Sequence, residues 1–327
     1  MHALITGGDG FVGEHLVAHL LRAGHQVTAS SLSLPPIRTL LSAEQVRAVE
    51  WKVADVLDPD AAYRLIAAVR PDQIYHLAGF ASGAEARQRP GEAVRVNVVG
   101  TVNLCEAVVA ARRDFPGLDP RMLVMGSADA YGSPVEDAPL TEEAPLRPSN
   151  AYGLSKACQE MAAHAYRRGY GVGAVVARAF NLIGPGQRTS FVVPDFCRQV
   201  AAVAAGRSQG VEVGNLEVER DFTDVRDAVR ALASILELSD PAAVYNVCSG
   251  RPVSVGTVLG WILDEAGVEV EVASDPRRTR GDEPLRIVGS PLRVERETGW
   301  KAERAVEETV RETYRWTARQ AADGVEL

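Results

Sequence analysis

The 327-residue chain is long enough for one large domain or two smaller ones, and 46% apolar residues is ordinary for a globular protein. A net charge of −8 argues against nucleic acid or an anionic membrane as the main partner, while a local basic pocket for an anionic ligand stays compatible with it. The four cysteines (Cys105, Cys158, Cys197, Cys248) show no C-x-x-C spacing, which fits a reduced compartment and small apolar filler roles and gives no metal pattern.

The chain starts with an apolar run, Ala3-Leu4-Ile5, that passes straight into Thr6-Gly7-Gly8-Asp9-Gly10-Phe11-Val12-Gly13. A helical pattern follows, with Leu16, Val17, Leu20 and Leu21 on one face. A strand beginning at residue 2 or 3 leaves no room for a signal peptide, and no uninterrupted apolar run is long enough to span a bilayer, so a cytoplasmic location is expected. Strand, glycine turn and helix start together point to phosphate binding. Glycines let the backbone approach a pyrophosphate, and the free N–H groups of the first helical turn face it with the helix dipole behind them. The spacing of Gly7, Gly10 and Gly13 is G-x-x-G-x-x-G rather than the usual G-x-G-x-x-G, with Phe11 and Val12 inside it. The bland alternative is a structural turn without a ligand.

This segment resembles the extended short-chain dehydrogenase/reductase family, whose members act mostly on nucleotide sugars. After Gly24, a helix C-cap, a second strand ends in Ala29-Ser30-Ser31-Leu32. An acid here would select NAD and a nearby Arg would suit NADP. Ser30 and Ser31 remove the repulsion against a 2′-phosphate, Arg38 is within sequence reach, and the expectation leans to NADP(H) over NAD(H). Residues 32–43 form a Leu/Pro-containing connection. A third strand ends at Asp55-Val56; the resemblance puts Asp55 on the adenine, whereas alone it reads equally as a turn Asp. Asp58 and Pro59 open a helix to Val69. A fourth strand runs through His76 into Leu77-Ala78-Gly79, the small-residue end beside the cofactor in that family, and His76 itself reads as a packed core residue. Ser82 follows in a loop that in such enzymes faces the sugar. Ala93–Leu104 is a helical pattern similar to the family's N-V-x-G-T-x-N-L signature. In it Asn97 either orients the site or is satisfied by backbone.

A fifth strand ends at Ser127, and Tyr152 and Lys156 lie four apart on one face of a later helix. Alone, Y-x-x-x-K is a frequent accident. Hydride addition to a ketone leaves an alkoxide that needs a proton. A phenol near pKa ~10 is a poor donor unless an ammonium lowers it, and a serine hydroxyl can hold the carbonyl oxygen. Ser127, Tyr152 and Lys156 match the family's catalytic triad residue by residue. Sugar 4,6-dehydratases of the family carry a Glu where Asp129 stands and often an Asp where Ala128 stands; the shorter Asp weakens that reading. The segments Arg178–Gln187, Phe191–Phe196, Val213–Glu217, Arg220–Asp227, Tyr245–Gly250 and Thr298–Lys301 make the chain similar, over nearly its whole length, to the family's GDP-6-deoxy-D-mannose reductases. Leu32 and the Ala128-Asp129 pair depart from that group. The resemblance implies substrate contacts from Ser82, Asp129, Asn181, Val192, Val213, Arg220, Arg280 and Glu283, with the arginines on a diphosphate. Arg277 and Arg278 read instead as surface ion pairs.

The resulting expectation is an α/β protein with a doubly wound, mainly parallel (Rossmann) sheet, residues 1–178 and 221–247, and a smaller C-terminal substrate-binding lobe, 179–220 and 248–327. It would reduce a GDP-linked 4-keto-6-deoxysugar with NAD(P)H, use no metal, and dimerise through the helices carrying Asn97 and Tyr152. An epimerase or 4,6-dehydratase on the same scaffold is the first alternative, and a dinucleotide sensor without chemistry the second.

Overall fold

A computed structural model describes residues 1–33, 40–134, 138–278 and 284–323. The alternation begins with β1 (His2–Thr6), α1 (Phe11–Arg22), β2 (Gln26–Ser31), α2 (Ala43–Ala48), β3 (Glu50–Val53), α3 (Pro59–Val69) and β4 (Gln73–His76). It continues with α4 (Gly83–Gln88), α5 (Pro90–Val94), α6 (Gly100–Asp114), β5 (Arg121–Ser127), α7 (Ala151–Tyr170) and β6 (Gly173–Ala179). The boundaries have local causes. Asp58 Oδ1 accepts from the N–H groups of Asp60 and Ala61, with Pro59 opening α3. Asn150 Oδ1 accepts from Gly153 N at 2.8 Å to start α7, and Gly171, at φ 67°, ends it.

The chain then leaves for a smaller layer: β7 (Asn181–Ile183), α8 (Val192–Ala204), β8 (Gly210–Val213) and β9 (Glu219–Asp224). It returns with α9 (Val225–Glu237) and β10 (Val244–Val247), and ends with β11 (Pro252–Ser254), α10 (Val255–Ala266), β12 (Glu271–Ser274), β13 (Arg286–Ile287), α11 (Leu292–Thr298) and α12 (Val306–Ala322). The large sheet has the order β10-β6-β5-β4-β1-β2-β3, parallel throughout. Thr6 stands level with Ser30 on one side and His76 on the other, so three strand ends meet where the strand order reverses.

Period-two alternation sorts the strands into two cores. Ala3, Ile5, Tyr75 and Leu123 pack under α1 and α9 with Leu16, Leu20, Val229 and Leu232. Leu4, Ile74, Met122 and Val124 pack under α3 and α6 with Ile66, Leu104 and Val108. In the smaller layer β9 pairs with β7, β11 and β13, and β12 pairs with β8. Phe196, Val200, Phe222, Val258, Ile262 and Tyr314 fill its core. Two acids of the returning segment fasten the C-terminal stretch: Asp224 accepts from Thr309 Oγ1 at 2.6 Å, and Asp227 Oδ2 from the N–H groups of Glu303 and Arg304.

The helix predicted over 93–104 is part of a longer stretch, Pro90–Asp114, whose middle, Arg95–Val99, winds as one π turn. By length and composition this stretch could cross a membrane, a feature that a search for uninterrupted apolar runs misses because Arg95 and Glu106 interrupt it. Its Leu104, Cys105 and Val108 are buried against the sheet.

Candidate active site

The N–H groups of Gly7 and Gly8 donate to Ser30 O at 2.9 and 3.1 Å, stitching the turn after β1 to the end of β2. Gly7 has φ +69°, and a Cβ there would stand 2.8 Å from Ala78 N. A Cβ on Gly13 would collide with the Gly7 carbonyl oxygen, so the turn admits glycine alone at both places. Gly10 is the N-cap of α1, and no side chain caps that first turn. The N–H groups of Phe11 and Val12 therefore face outward without an intrahelical acceptor, which fits a dinucleotide's pyrophosphate.

The ends of β4, β5 and α7 converge next to this turn. Leu77 N donates to Thr6 O at 3.1 Å, and the chain bends through Ala78 and Gly79. Asn97 sits in the π turn, where the extra residue re-aims its side chain. Its Oδ1 accepts from Phe80 N and its Nδ2 donates to Ser155 Oγ, both at 2.8 Å, and Ser155 Oγ donates to Tyr152 O at 2.7 Å. Asn97 is thus satisfied by one backbone and one side-chain partner, and it ties the 77–80 segment to the helix bearing Tyr152.

Ser127 ends β5, its hydroxyl accepts from Asp129 N at 3.2 Å, and it lies near enough to the Tyr152 phenol to favour its charged form. Tyr152 is buried beside Phe80, Ala86 and Ala93. Burial pushes its phenol well above the usual value, the Asp129 charge adds to this, and the nearby Ser127 hydroxyl opposes it. Burial also pulls the Lys156 ammonium down to about 7. Lys156 Nζ donates to Met125 O at 2.8 Å and to Gln159 Oε1 at 3.0 Å, and lies 5.9 Å from the Tyr152 ring centroid. The lowered phenol expected from the sequence is thus not what this arrangement produces. The ammonium is turned to two neutral oxygens and is itself desolvated, so burial of Tyr152 outweighs it.

Ser30 and Ser31 are buried at the end of β2, with Ser31 Oγ donating to Ser33 O at 2.7 Å, and Leu32 is exposed. Asp55 is exposed and accepts from Leu57 N at 2.9 Å, the turn geometry weighed above, and Val56 O accepts from Asn103 Nδ2 at 2.9 Å. Ser82 is not in an open loop: it is buried as the N-cap of α4, accepting from Glu85 N at 3.4 Å. Asp129 lies in a 3-10 turn, Ala128–Tyr131, beside α7. Asn181 is exposed on β7, and its Nδ2 donates to Asp221 O at 3.4 Å; Arg220 Nη1, on β9, donates to Glu219 O. Val192 is exposed at the start of α8. Val213 is a correction: its side chain packs into the smaller core because β8 faces α8, and its carbonyl accepts from Asp275 N at 2.8 Å. Arg38, Arg280 and Glu283 lie outside the described residues. Arg277 and Arg278 pair with Asp275 and Asp195, as surface ion pairs should. Sequence reasoning missed Gln159, although its i,i+3 spacing from Lys156 puts both on one helix face.

A pyrophosphate turn with a buried phenol and ammonium beside it suits hydride exchange at a carbonyl, the chemistry of NAD(P)-dependent dehydrogenases and reductases of the short-chain type. The family model for GDP-mannose 4,6 dehydratase matches residues 4–313, and the chain belongs to that family. It is 37% identical over 309 residues to GDP-6-deoxy-D-mannose reductase of Pseudomonas aeruginosa, covering 94% of each chain. Its structure superposes on the NADPH complex of RMD from Pseudomonas aeruginosa with a TM-score of 0.83, at 34% identity over 97% of this chain and 99% of that one. The NAD complex of Thermus thermophilus UDP-glucose 4-epimerase gives 0.84 at 28% identity, covering 97% and 99%. NAD(P)(H) is accordingly the cofactor of this fold.

Proposed function

We propose that the protein reduces the C4 ketone of a GDP-linked 4-keto-6-deoxyhexose, in a reaction of the GDP-4-dehydro-6-deoxy-D-mannose to GDP-D-rhamnose type. The observation that carries this reading is the convergence of Ser127 and Lys156 on the buried phenol of Tyr152, in a chain 37% identical to a reductase of such a substrate. Bound nicotinamide would supply the hydride. Tyr152, kept protonated by burial, donates its proton to the alkoxide oxygen. Ser127 Oγ donates a hydrogen bond to the same oxygen and orients it. Lys156 steadies the charge left on the phenolate. Asp55, Val56, Ser30, Ser31 and the 77–79 segment line the cofactor's ribose and adenine, and the absence of an acid after β2 favours NADPH. The smaller lobe, whose strand β9 runs on to Asp224 rather than stopping at residue 220, takes the nucleotide through Asn181, Val192 and Arg220.

An epimerase or 4,6-dehydratase activity is the second reading, supported by Asp129, whose charge reaches Tyr152. Half-exposed or exposed apolar side chains at Val99 (42%), Leu154 (47%) and Met161 (65%) support a homodimer through the π turn and α7. A cytoplasmic location is part of the same proposal, and the net charge of −8 argues against nucleic-acid or anionic-membrane partners.

The test is loss of reduced-nicotinamide absorbance with GDP-4-keto-6-deoxymannose, run with NADH and with NADPH. Tyr152→Phe should lower kcat about 10²–10⁴-fold while cofactor still binds. Asp129→Asn should keep most reductase activity. Near-complete loss in Asp129→Asn, or turnover of an intact nucleotide sugar without net oxidation of cofactor, would replace the reductase reading by the second one.

A further inference from the structure

Lys156 stands at one end of a buried polar chain whose hydrogens can be assigned by donor logic alone. An ammonium only donates, so the Gln159 oxygen must face it and the Gln159 Nε2 must face away, onto Thr101 Oγ1 at 2.8 Å. Thr101 has one hydroxyl proton, and it goes to Asn97 O at 2.8 Å. Its lone pairs then take Gln159 Nε2–H and His76 Nε2–H, the latter at 3.0 Å. His76 is therefore the Nε2–H tautomer, and its Nδ1 accepts from Thr6 Oγ1 at 2.8 Å. Thr6 Oγ1 in turn accepts from Ala78 N at 3.3 Å. Every member is buried or half-buried, and each donor meets an acceptor. The chain runs from the strand that enters the glycine turn to the helix that carries Tyr152. Burial pulls His76 down to about 3, with Lys156 adding to this, so the ring stays neutral as the tautomer requires. The titratable groups facing Lys156 are Tyr152 on its own helix, His76 on β4 and, beyond Tyr152, Asp129 on the turn after β5. The π turn presents neutral Asn97.

We propose that Gln159 is a positioning residue, which holds the Lys156 ammonium beside Tyr152 through its amide oxygen while Thr101, itself fixed by His76 and Asn97 O, holds its amide nitrogen. The proposal rests on the catalytic reading of Tyr152 and Lys156 above. Two consequences have opposite signs. Gln159→Leu removes an acceptor from a buried ammonium and disfavours its charged form. Gln159→Glu sets a carboxylate against it and favours the charged form.

The chain contains three lysines, Lys52, Lys156 and Lys301, so protein labelled with lysine at the 13Cε position yields three resonances to titrate, and Lys156→Met identifies the one of interest. The Lys156 midpoint should fall by about one pH unit in Gln159→Leu and rise by about as much in Gln159→Glu. The pH profile of kcat should move in the same two directions. In Gln159→Leu, kcat should drop about ten- to a hundredfold with KM for the nucleotide sugar little changed. Thr101→Val, which frees the Gln159 nitrogen, should shift the midpoint less. A midpoint unmoved in both Gln159 variants, with only a lower Tm, would show a merely structural glutamine and overturn the proposal. If the Leu variant does not fold, the Glu variant decides alone by the same criterion. The lysine titration needs no substrate, so a wrong substrate assignment would show as absent turnover in the wild type while the midpoints still move.

Discussion

Helix α7 buries two charges four residues apart, Lys156 at 5% exposure and Glu160 at 3%, and surrounds them differently. Glu160 meets Arg178 of β6 in a bidentate pair at 2.5 and 2.8 Å. Arg178 also donates to Tyr131 Oη at 2.6 Å and Glu142 O at 3.1 Å, and Tyr131 passes its own proton to Asn246 on β10 at 2.7 Å. That charge is neutralised and locks four segments together, and burial pushes the Tyr131 phenol up to about 12, which keeps it a donor. Lys156 is held by neutral oxygens instead, and its ionisation stays close to neutral pH. A compensated charge serves assembly, and an uncompensated one retains a proton that can be lost.

The sharpest way to break this contrast is Lys156→Met. It should cost about 10²–10⁴-fold in kcat, yet leave stability unchanged or raised, because an apolar side chain replaces a costly buried charge. Urea unfolding monitored with pH adds a signed check. The folded ammonium titrates near 7 and the unfolded one near ~10.4, so between these values the unfolded chain binds more protons. Wild-type stability relative to Lys156→Met should therefore rise with pH across that window, by at most about 1.4 kcal/mol per pH unit, and be lowest below 7. A flat difference would mean that Lys156 is not desolvated.

Glu160→Gln should do the reverse. It leaves Arg178 buried and uncompensated, at a cost of about 3–5 kcal/mol seen in the urea midpoint, with activity per folded molecule largely kept. Gly153→Ala is the smallest of the three. A Cβ there would press on the Asp129 carbonyl, forcing the 3-10 turn off α7 for about 1–3 kcal/mol, and it should lower kcat by moving Ser127 relative to Tyr152. Full activity with unchanged stability would show that the turn yields freely.

What the sequence by itself determined is local. The glycine turn follows from sterics at Gly7 and Gly13, and the alternating cores follow from period-two strands such as Ala3-Leu4-Ile5. The shared face of Tyr152 and Lys156 follows from the helical repeat, and the α3 boundary from Asp58 and Pro59. Only the tertiary structure decided which buried polar groups meet. Ser127 reaches Tyr152 across 25 positions of chain because β5 ends level with the first turn of α7. The π turn at Asn97, the His76–Thr101–Gln159 chain and the pairing of Glu160 with Arg178 likewise join residues from separate elements. So does the descent of Val213 into the smaller core. Local sterics and periodicity act between neighbours in sequence. A polar partner is chosen by the register in which elements pack, which no short stretch of residues encodes.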